Sequence, residues 1–477
     1  MSTKQLTLQQ LPDDVLVLMM QHLAVDDLFA CRLVCRRLRD LALHPEIWSH
    51  RRLDEDKPCV CAVLGLAPCL DRAVYSKKVH TRAFTMTRCA VRHLTLRVRQ
   101  GTECARACIA LLRQEVLGRL KSVQLHVSYS LEDVAPVAPL EDADALLGTL
   151  VACRGLESLD LTDSLPEQYV MRPVLHGPSR SSLKYFRCYL SEETATFVNT
   201  VLAGHAATLQ EVDFGCQYFE EEGTFQPFVG LSVLRRLTCT VFTGMQALAS
   251  CKMLTAVSLS LFEDYTPESV VQGAVEFLRL LAGQLRTVSL EFQYADGDNE
   301  HFDRLLRALA CSGESLVEQL TILTIPIGAP LLRALPRLPA LRVLSVLKSP
   351  LVDPEDDDCV GDILAGITPA TAPSLRRLEL STSDLQGCLH EWLHRDAVGR
   401  VLAANPSLHV HVWGTRGCRG GGPCEACALG CHREAIRDFK KGRRVGLFSH
   451  GPGECTHPED HITGDKWTWI HFYCNSD

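Results

Sequence analysis

Six-residue windows of the form L-x-x-L-x-L, apolar at the first, fourth and sixth places, recur along most of this 477-residue chain. They are VRHLTL at 91, LKSVQL at 120, LESLDL at 156, LKYFRC at 183, LQEVDF at 209, LRRLTC at 234, LTAVSL at 254, LRTVSL at 285, LTILTI at 320, LRVLSV at 341 and LRRLEL at 375. One such window carries almost no information, because any strand or helix can contain it. Eleven in succession, about 28 residues apart on average, are hard to obtain by chance. Between them lie helical patterns such as ESVVQGAVEFLRLLAG (268–283) and DRLLRALACSG (303–313). The prediction is therefore strand then helix, repeated. The spacing varies from about 20 to 36 residues, so insertions are expected.

Hydrophobic residues make up 46% of the chain, enough to fill a long core. The period lies in the leucine-rich-repeat range of roughly 20–29 residues. The expected fold is α/β: a leucine-rich-repeat solenoid (horseshoe) over residues 91–413, each unit packing only on its neighbours. Positions 4 and 6 of each unit point inward, and period-two alternation sends positions 3, 5 and 7 to the opposite, concave face. Eleven strands about 4.8 Å apart make a wall on the order of 50 Å long, which suits a protein surface better than a small molecule. Tyrosine and arginine are frequent interface anchors, so Tyr185, Arg187 and Tyr189, with Asp213 and Arg236, are the substrate-binding candidates.

The formal net charge is -8 and no lysine- or arginine-rich tail is present, so neither nucleic acid nor a membrane is an expected partner. No apolar run reaches the length of a membrane span. The opening MSTKQLTLQQLPDD does not have the pattern of a secretory signal. The 22 cysteines are then expected to be reduced thiols acting as small buried hydrophobes, in a cytoplasmic or nuclear protein. There is no P-loop, G-x-S-x-G or H-E-x-x-H, and the expectation is a non-catalytic protein without cofactor.

Residues 8–53 predict three short helices. Leu11-Pro12-Asp13-Asp14 opens the first, with proline in the first turn and acids at the positive end of the dipole. Val15, Leu16, Met19 and Leu23 fall on one face. Asp26 and Asp27 offer a cap for the second helix, whose apolar face runs from Leu28 through Cys31, Val34 or Cys35 and Leu38 to Leu41. His44-Pro45-Glu46 restarts a third turn bearing Ile47 and Trp48. Some 45 residues bury too little surface to stand alone, so these helices must pack on the rest of the chain or on a partner.

This segment resembles the F-box. The family opens with a Leu-Pro pair and an acid, as in Leu11-Pro12-Asp13. It continues with apolar residues like Leu16 and Leu23, an Asp-Leu step like Asp27-Leu28, a Val-Cys-Arg like Val34-Cys35-Arg36, and a Pro-x-x-Trp like Pro45-Glu46-Ile47-Trp48. One departure is Leu38, where the family usually carries tryptophan. The resemblance implies docking on an SKP-type adaptor, and through it on a cullin and a RING subunit. Leu11, Pro12, Leu16, Leu23, Leu28, Val34, Cys35, Arg36 and Trp48 would lie at or beneath that contact. With the repeats behind it, the chain resembles the leucine-rich F-box proteins. The implied role is the substrate receptor of an SCF-type ubiquitin ligase; a scaffold acting without ubiquitin transfer is the alternative.

Two stretches fit neither pattern. Residues 54–90 predict a packed helical connector or an irregular first unit. LHVHVWG (408–414) reads as a final strand, and residues 414–477 as a Cys/His-rich tail. Cys418, Cys424, Cys427 and Cys431 are weak candidates for structural zinc. A second close pair could also be Cys455 with His457, near His461, His471 and Cys474. Zinc ligands usually come as two close pairs, but the spacing matches no zinc-finger pattern, and no metal is assigned.

Overall fold

The structure is a computed structural model. It describes residues 10–76, 78–99, 102–128, 141–161, 181–190, 192–215, 230–262, 265–293, 300–311, 313–323, 328–347, 358–381, 393–413, 428, 444–451, 453–461 and 467–472. These fall into two compact units, residues 1–217 with 230–233 and residues 218–229 with 234–477. The division lies inside the repeat region.

The first unit opens on four short helices, α1 (Asp13–Gln21), α2 (Val25–Val34), α3 (Arg36–Leu41) and α4 (Pro45–Trp48). Three were expected. The second breaks because Cys35 is fully extended (φ -157°, ψ 167°), ending α2 and starting α3. Asp26 and Asp27 do not cap α2: Ala24 is the N-cap and makes no side-chain bond, so the two acids act only on the dipole of the first turn. In α1 the buried face is Leu16, Val17 and Met20; of the expected Val15, Leu16, Met19 and Leu23, Leu16 is buried and Leu23 half-buried, whereas Val15 and Met19 are exposed. The run Val15-Leu16-Val17-Leu18-Met19-Met20 is apolar on every side, so periodicity alone cannot choose its inner face.

A parallel sheet follows: β1 (Arg52–Leu53), β2 (Cys69–Tyr75), β3 (Ala90–Arg99), β4 (Ser122–Ser128), β5 (Ser158–Leu161), β6 (Tyr185–Cys188) and β7 (Glu211–Asp213). Helices α5 (Val60–Leu66), α6 (Thr81–Thr85), α7 (Thr102–Leu117), α8 (Glu141–Ala152) and α9 (Glu192–His205) alternate with the later strands. The sheet starts two strands before the expected Val91. Ala73 of β2 pairs with Leu94 of β3, which sets Leu70, Ala73 and Tyr75 at positions 1, 4 and 6, all buried. Alanine and tyrosine in leucine's places hid this window.

The second unit carries β8 (Arg236–Thr240), β9 (Ala256–Phe262), β10 (Thr287–Gln293), β11 (Gln319–Leu323), β12 (Val343–Leu347), β13 (Arg377–Ser381) and β14 (His409–Trp413), each parallel to the next. Its helices are α10 (Glu268–Leu281), α11 (Glu300–Ala310), α12 (Gly328–Ala334), α13 (Asp358–Gly366) and α14 (Asp396–Ala404). Register corrects one window. Val288 pairs with Leu320, so Leu320 stands at position 4, and the unit is Val317, Leu320 and Ile322 rather than one starting at 320. Nor is β14 the final strand. β15 (Arg444–Phe448) pairs antiparallel with it, and β16 (Trp467–His471) pairs parallel with β15. Part of the expected tail is thus sheet.

Position-4 residues form one continuous buried row in each unit. In the first these are Val123, Leu159, Phe186 and Val212, each at most 1% exposed. Full burial of such a side chain contributes about 1.5–3 kcal/mol. Buried polar side chains satisfy backbone groups where strands begin and where helices end. Gln114 accepts from the Val91 amide (2.8 Å) and donates to the Cys89 carbonyl (3.1 Å). The His205 imidazole faces the amides of Ser182 and Leu183 with Nδ1 as acceptor (3.2 and 3.3 Å), and the Asn405 amide donates to Ile367 and Val401 carbonyls (3.1 and 2.8 Å). Cysteines at core positions are free thiols: burial pushes Cys89 and Cys153 up to about 12, so they remain protonated at neutral pH.

Candidate docking helices, strand face and histidine cluster

Trp48 locks the N-terminal helices. It is fully buried, and its indole N–H donates to the Ala42 carbonyl (2.7 Å). Arg51 lies over its ring, 5.6 Å from the centroid, and its guanidinium donates to the carbonyls of Met20 (3.2 Å), Gln21 (3.1 Å) and Leu23 (2.8 Å). One side chain therefore caps the C-terminal end of α1, where the dipole favours a cation. Arg37 donates to the Leu11 carbonyl (2.6 Å) and to Asp13, tying the start of α3 to the start of α1. α4 packs on β2, and the Cys69 thiol donates to the Pro45 carbonyl (3.5 Å). The undersized helix group is thus supported in part by the sheet.

Several apolar side chains of α1 and α2 are nevertheless uncovered. Leu33 is 85% exposed, Val34 71% and Leu18 57%, with Val15 and Met19 also exposed. Val15, Leu18 and Met19 share one face of α1 at i, i+3, i+4 spacing. Of the residues implicated by the family resemblance, Leu16, Leu28 and Trp48 are core, Leu11 and Leu23 are half-buried, and Pro12, Val34, Cys35 and Arg36 are exposed. Leu18 and Leu33, absent from that set, are among the most exposed apolar groups of the segment.

Across the strand face of the first unit, position-5 side chains stand side by side as Gln124, Asp160, Arg187 and Asp213. Gln124 donates to Asp160 (3.3 Å), and Arg187 pairs with Asp213 (3.4 Å). Burial raises the Asp160 carboxyl, against the pull of Arg187 and His126. Burial, then Asp160 and Asp213, raises Tyr185, which is half-buried at position 3. Tyr189 follows at position 7, its ring lying against Gly215. A Cβ there would sit 2.3 Å from the ring, and Gly215 has φ +66°, so glycine is required twice over. Tyr185, Arg187, Tyr189 and Asp213 therefore form one amphipathic patch. Arg236 belongs to the second unit, exposed at the start of β8. There position 5 is filled by small hydroxyls: Thr238, Ser258, Ser289, Thr321 and Ser345.

The end of that second face is different. β13 and β14 bring Arg377 and His409 to position 3, Glu379 and His411 to position 5, and residues 457–461 lie over them. Arg377 binds Glu379 (3.0 Å) and Asp460 (3.3 Å), and His411 donates to the Asp460 carbonyl (3.2 Å). The Nε2 atoms of His409 and His461 stand 3.0 Å apart, those of His450 and His461 3.1 Å, and the Cys455 sulfur is 3.5 Å from His409 Nε2. Burial, then His461 and His450, pushes His409 down to about 4; burial, then Arg377, pushes His411 down to about 3. Trp469 and Phe448 flank His461, with centroids 4.5 and 4.9 Å away. Cys418, Cys424, Cys427, Cys431 and Cys474 lie outside the described residues. Cys455 does not join His457, which instead faces Arg376 (3.2 Å) and Glu459 (3.4 Å). From sequence, Cys455 and His461 stand out as candidates, but His450 does not, nor does His409, which lies on β14, far from the other three in the chain.

A family model described as F-box-like matches residues 8–54, the four helices and the first strand. No curated protein matches the chain. The chain thus carries an F-box-like domain ahead of a mixed α/β region with a long open sheet, and an SKP-type adaptor is the partner such domains suggest. Among the described residues no helix is long and apolar enough to cross a membrane.

Proposed function

We propose that this chain is a substrate-recognition subunit of an SCF-type cullin–RING ubiquitin ligase, with no catalytic residue of its own. Its F-box-like helices bind the SKP adaptor. Its strand–helix array, taken as a leucine-rich-repeat solenoid, holds the protein to be ubiquitylated. The observation that carries this reading is the uncovered apolar set on helices otherwise locked by Trp48 and Arg51. A group this well tied internally has no folding reason to leave Leu33 and Val34 in water, and exposed apolar patches of this kind mark protein contacts. The receptor acts by proximity: it raises the effective concentration of a substrate lysine near the charged conjugating enzyme and makes no bond itself. Tyr185, Arg187, Tyr189 and Asp213 are the proposed substrate contacts in the first unit, and Arg236 in the second.

The test is co-purification of the full chain with an SKP adaptor. Leu33→Glu with Val34→Glu, both at exposed positions, should weaken adaptor binding by about 10–100-fold without lowering the thermal midpoint. Undiminished binding overturns docking through these helices. Affinity capture with proteasome activity blocked tests the other end: alanine at Tyr185, Arg187 and Tyr189 should lose a captured protein while retaining the adaptor.

A further inference from the structure

The cluster at the end of the second unit poses a proton problem. His450 Nδ1 donates to the Pro406 carbonyl (3.2 Å), so in the neutral imidazole Nε2 carries the lone pair. That lone pair points at His461 Nε2, which also faces His409 Nε2. A single proton on His461 cannot lie along both lines at once. Cys455 sulfur closes the group, and the four donor atoms all lie within 4.8 Å of one another. Among neutral imidazoles at most one of these two contacts is a full hydrogen bond, whereas a cation takes all four donor atoms together.

We propose that His409, His450, Cys455 and His461 form a structural zinc site. Zinc at about 2.0–2.1 Å from nitrogen and 2.3 Å from sulfur gives tetrahedral N–N edges of about 3.3 Å and N–S edges of about 3.6 Å. The observed 3.0, 3.1 and 3.5 Å lie close to those edges. Three imidazoles and one thiolate suit zinc rather than the hard, oxygen-seeking cations. The donors come entirely from this chain, and His409 and His450 are buried, so the site is closed, as structural sites are. The His450–Pro406 bond supplies the outer hydrogen bond that metal-bound histidines commonly make. On binding, the Cys455 thiol gives its proton to solvent and the thiolate takes the metal. The ion joins β14 to the segment 450–461 and so fastens that segment over the end of the strand face. His411 is not a ligand, because its Nε2 is committed to the Asp460 carbonyl.

The experiment must separate this site from the four cysteines at 418–431. The full chain is purified with serine at Cys418, Cys424, Cys427 and Cys431, and its zinc is measured after desalting. One zinc per chain is expected, and it should fall to background when His461→Ala or Cys455→Ser is added. Cobalt(II) gives an independent readout on the otherwise native chain: tetrahedral visible bands with a thiolate-to-cobalt band that Cys455→Ser removes. This reading needs no histidine variant to fold. A serine-substituted chain without zinc, zinc that survives both added substitutions, or a cobalt spectrum unaltered by Cys455→Ser each overturns the proposal.

Discussion

The two units close their terminal segments with different chemistry. In the first, β2 meets α4, and the join is apolar: Ile47 and Trp48 are buried, with Arg51 closing the open carbonyls of α1. In the second, β14 is joined by β15, β16 and residues 450–461 through imidazoles, indoles and a thiol. The first closure comes from residues close in sequence and presents uncovered apolar side chains outward. The second gathers residues distant in sequence and turns its reactive groups inward. One end leaves apolar side chains uncovered, and the other is finished within the chain.

Trp48→Ala is the strongest challenge to this contrast. Removing a fully buried indole costs about 3–5 kcal/mol. Hydrogen exchange should show lost protection in α1–α4 and β2 with β8–β16 unchanged; loss in both units would mean the closures are not independent. Arg51→Met should cost about 1–3 kcal/mol by removing the guanidinium bonds to the carbonyls of Met20, Gln21 and Leu23, of which Met20 keeps the Leu23 amide as a partner. Arg51→Lys should recover only part, because an ammonium lacks the planar fork. Urea unfolding measures both. In the second unit, a Cβ at Gly446 would stand 2.4 Å from the Trp469 ring. Gly446→Ala should therefore cost about 1–3 kcal/mol and loosen β15 and β16 alone.

A smaller effect separates the buried imidazoles. His205 stands alone, with its Nδ1 facing two amides, and burial lowers its pKa. Its folded value lies below the unfolded one, so the unfolded chain binds the proton more readily. The stability it supports is complete above the unfolded value of about 6.5 and is lost as pH falls toward the folded value. The urea midpoint of the first unit should drop as pH falls below about 6.5, less steeply in His205→Gln. The smallest change is expected at Lys184→Met. This exposed partner of Glu157 should contribute under about 1 kcal/mol, an effect further screened by salt.

Much of the strand order was legible because positions 4 and 6 repeat as Leu, Val or Phe, and the N-terminal helices because Leu-Pro-Asp, Val-Cys-Arg and Pro-x-x-Trp stand in order. The failures have physical causes. Ala73 and Tyr75 fill leucine's places in β2, so that window looked irregular. Residues 317–325 contain two overlapping L-x-x-L-x-L phases, and only pairing with Val288 selects one. The exposed face of α1 was hidden by a run apolar on both sides. The histidine cluster was legible only in part: Cys455 and His461 stand close in the chain and can be singled out, His450 was not, and β14 supplies His409 from a distant segment that no local spacing links to them.

The in-register pairing also governs how such a surface can change. Position 5 of one strand meets position 5 of the next, from Gln124 through Asp213, although the intervening segments differ in length. Length differences are absorbed in the connections, so an insertion there shifts no side chain along the row. A single substitution alters one rung and leaves its neighbours aligned. The chemistry of the face can therefore be revised one side chain at a time, while the buried row behind it keeps the spacing constant.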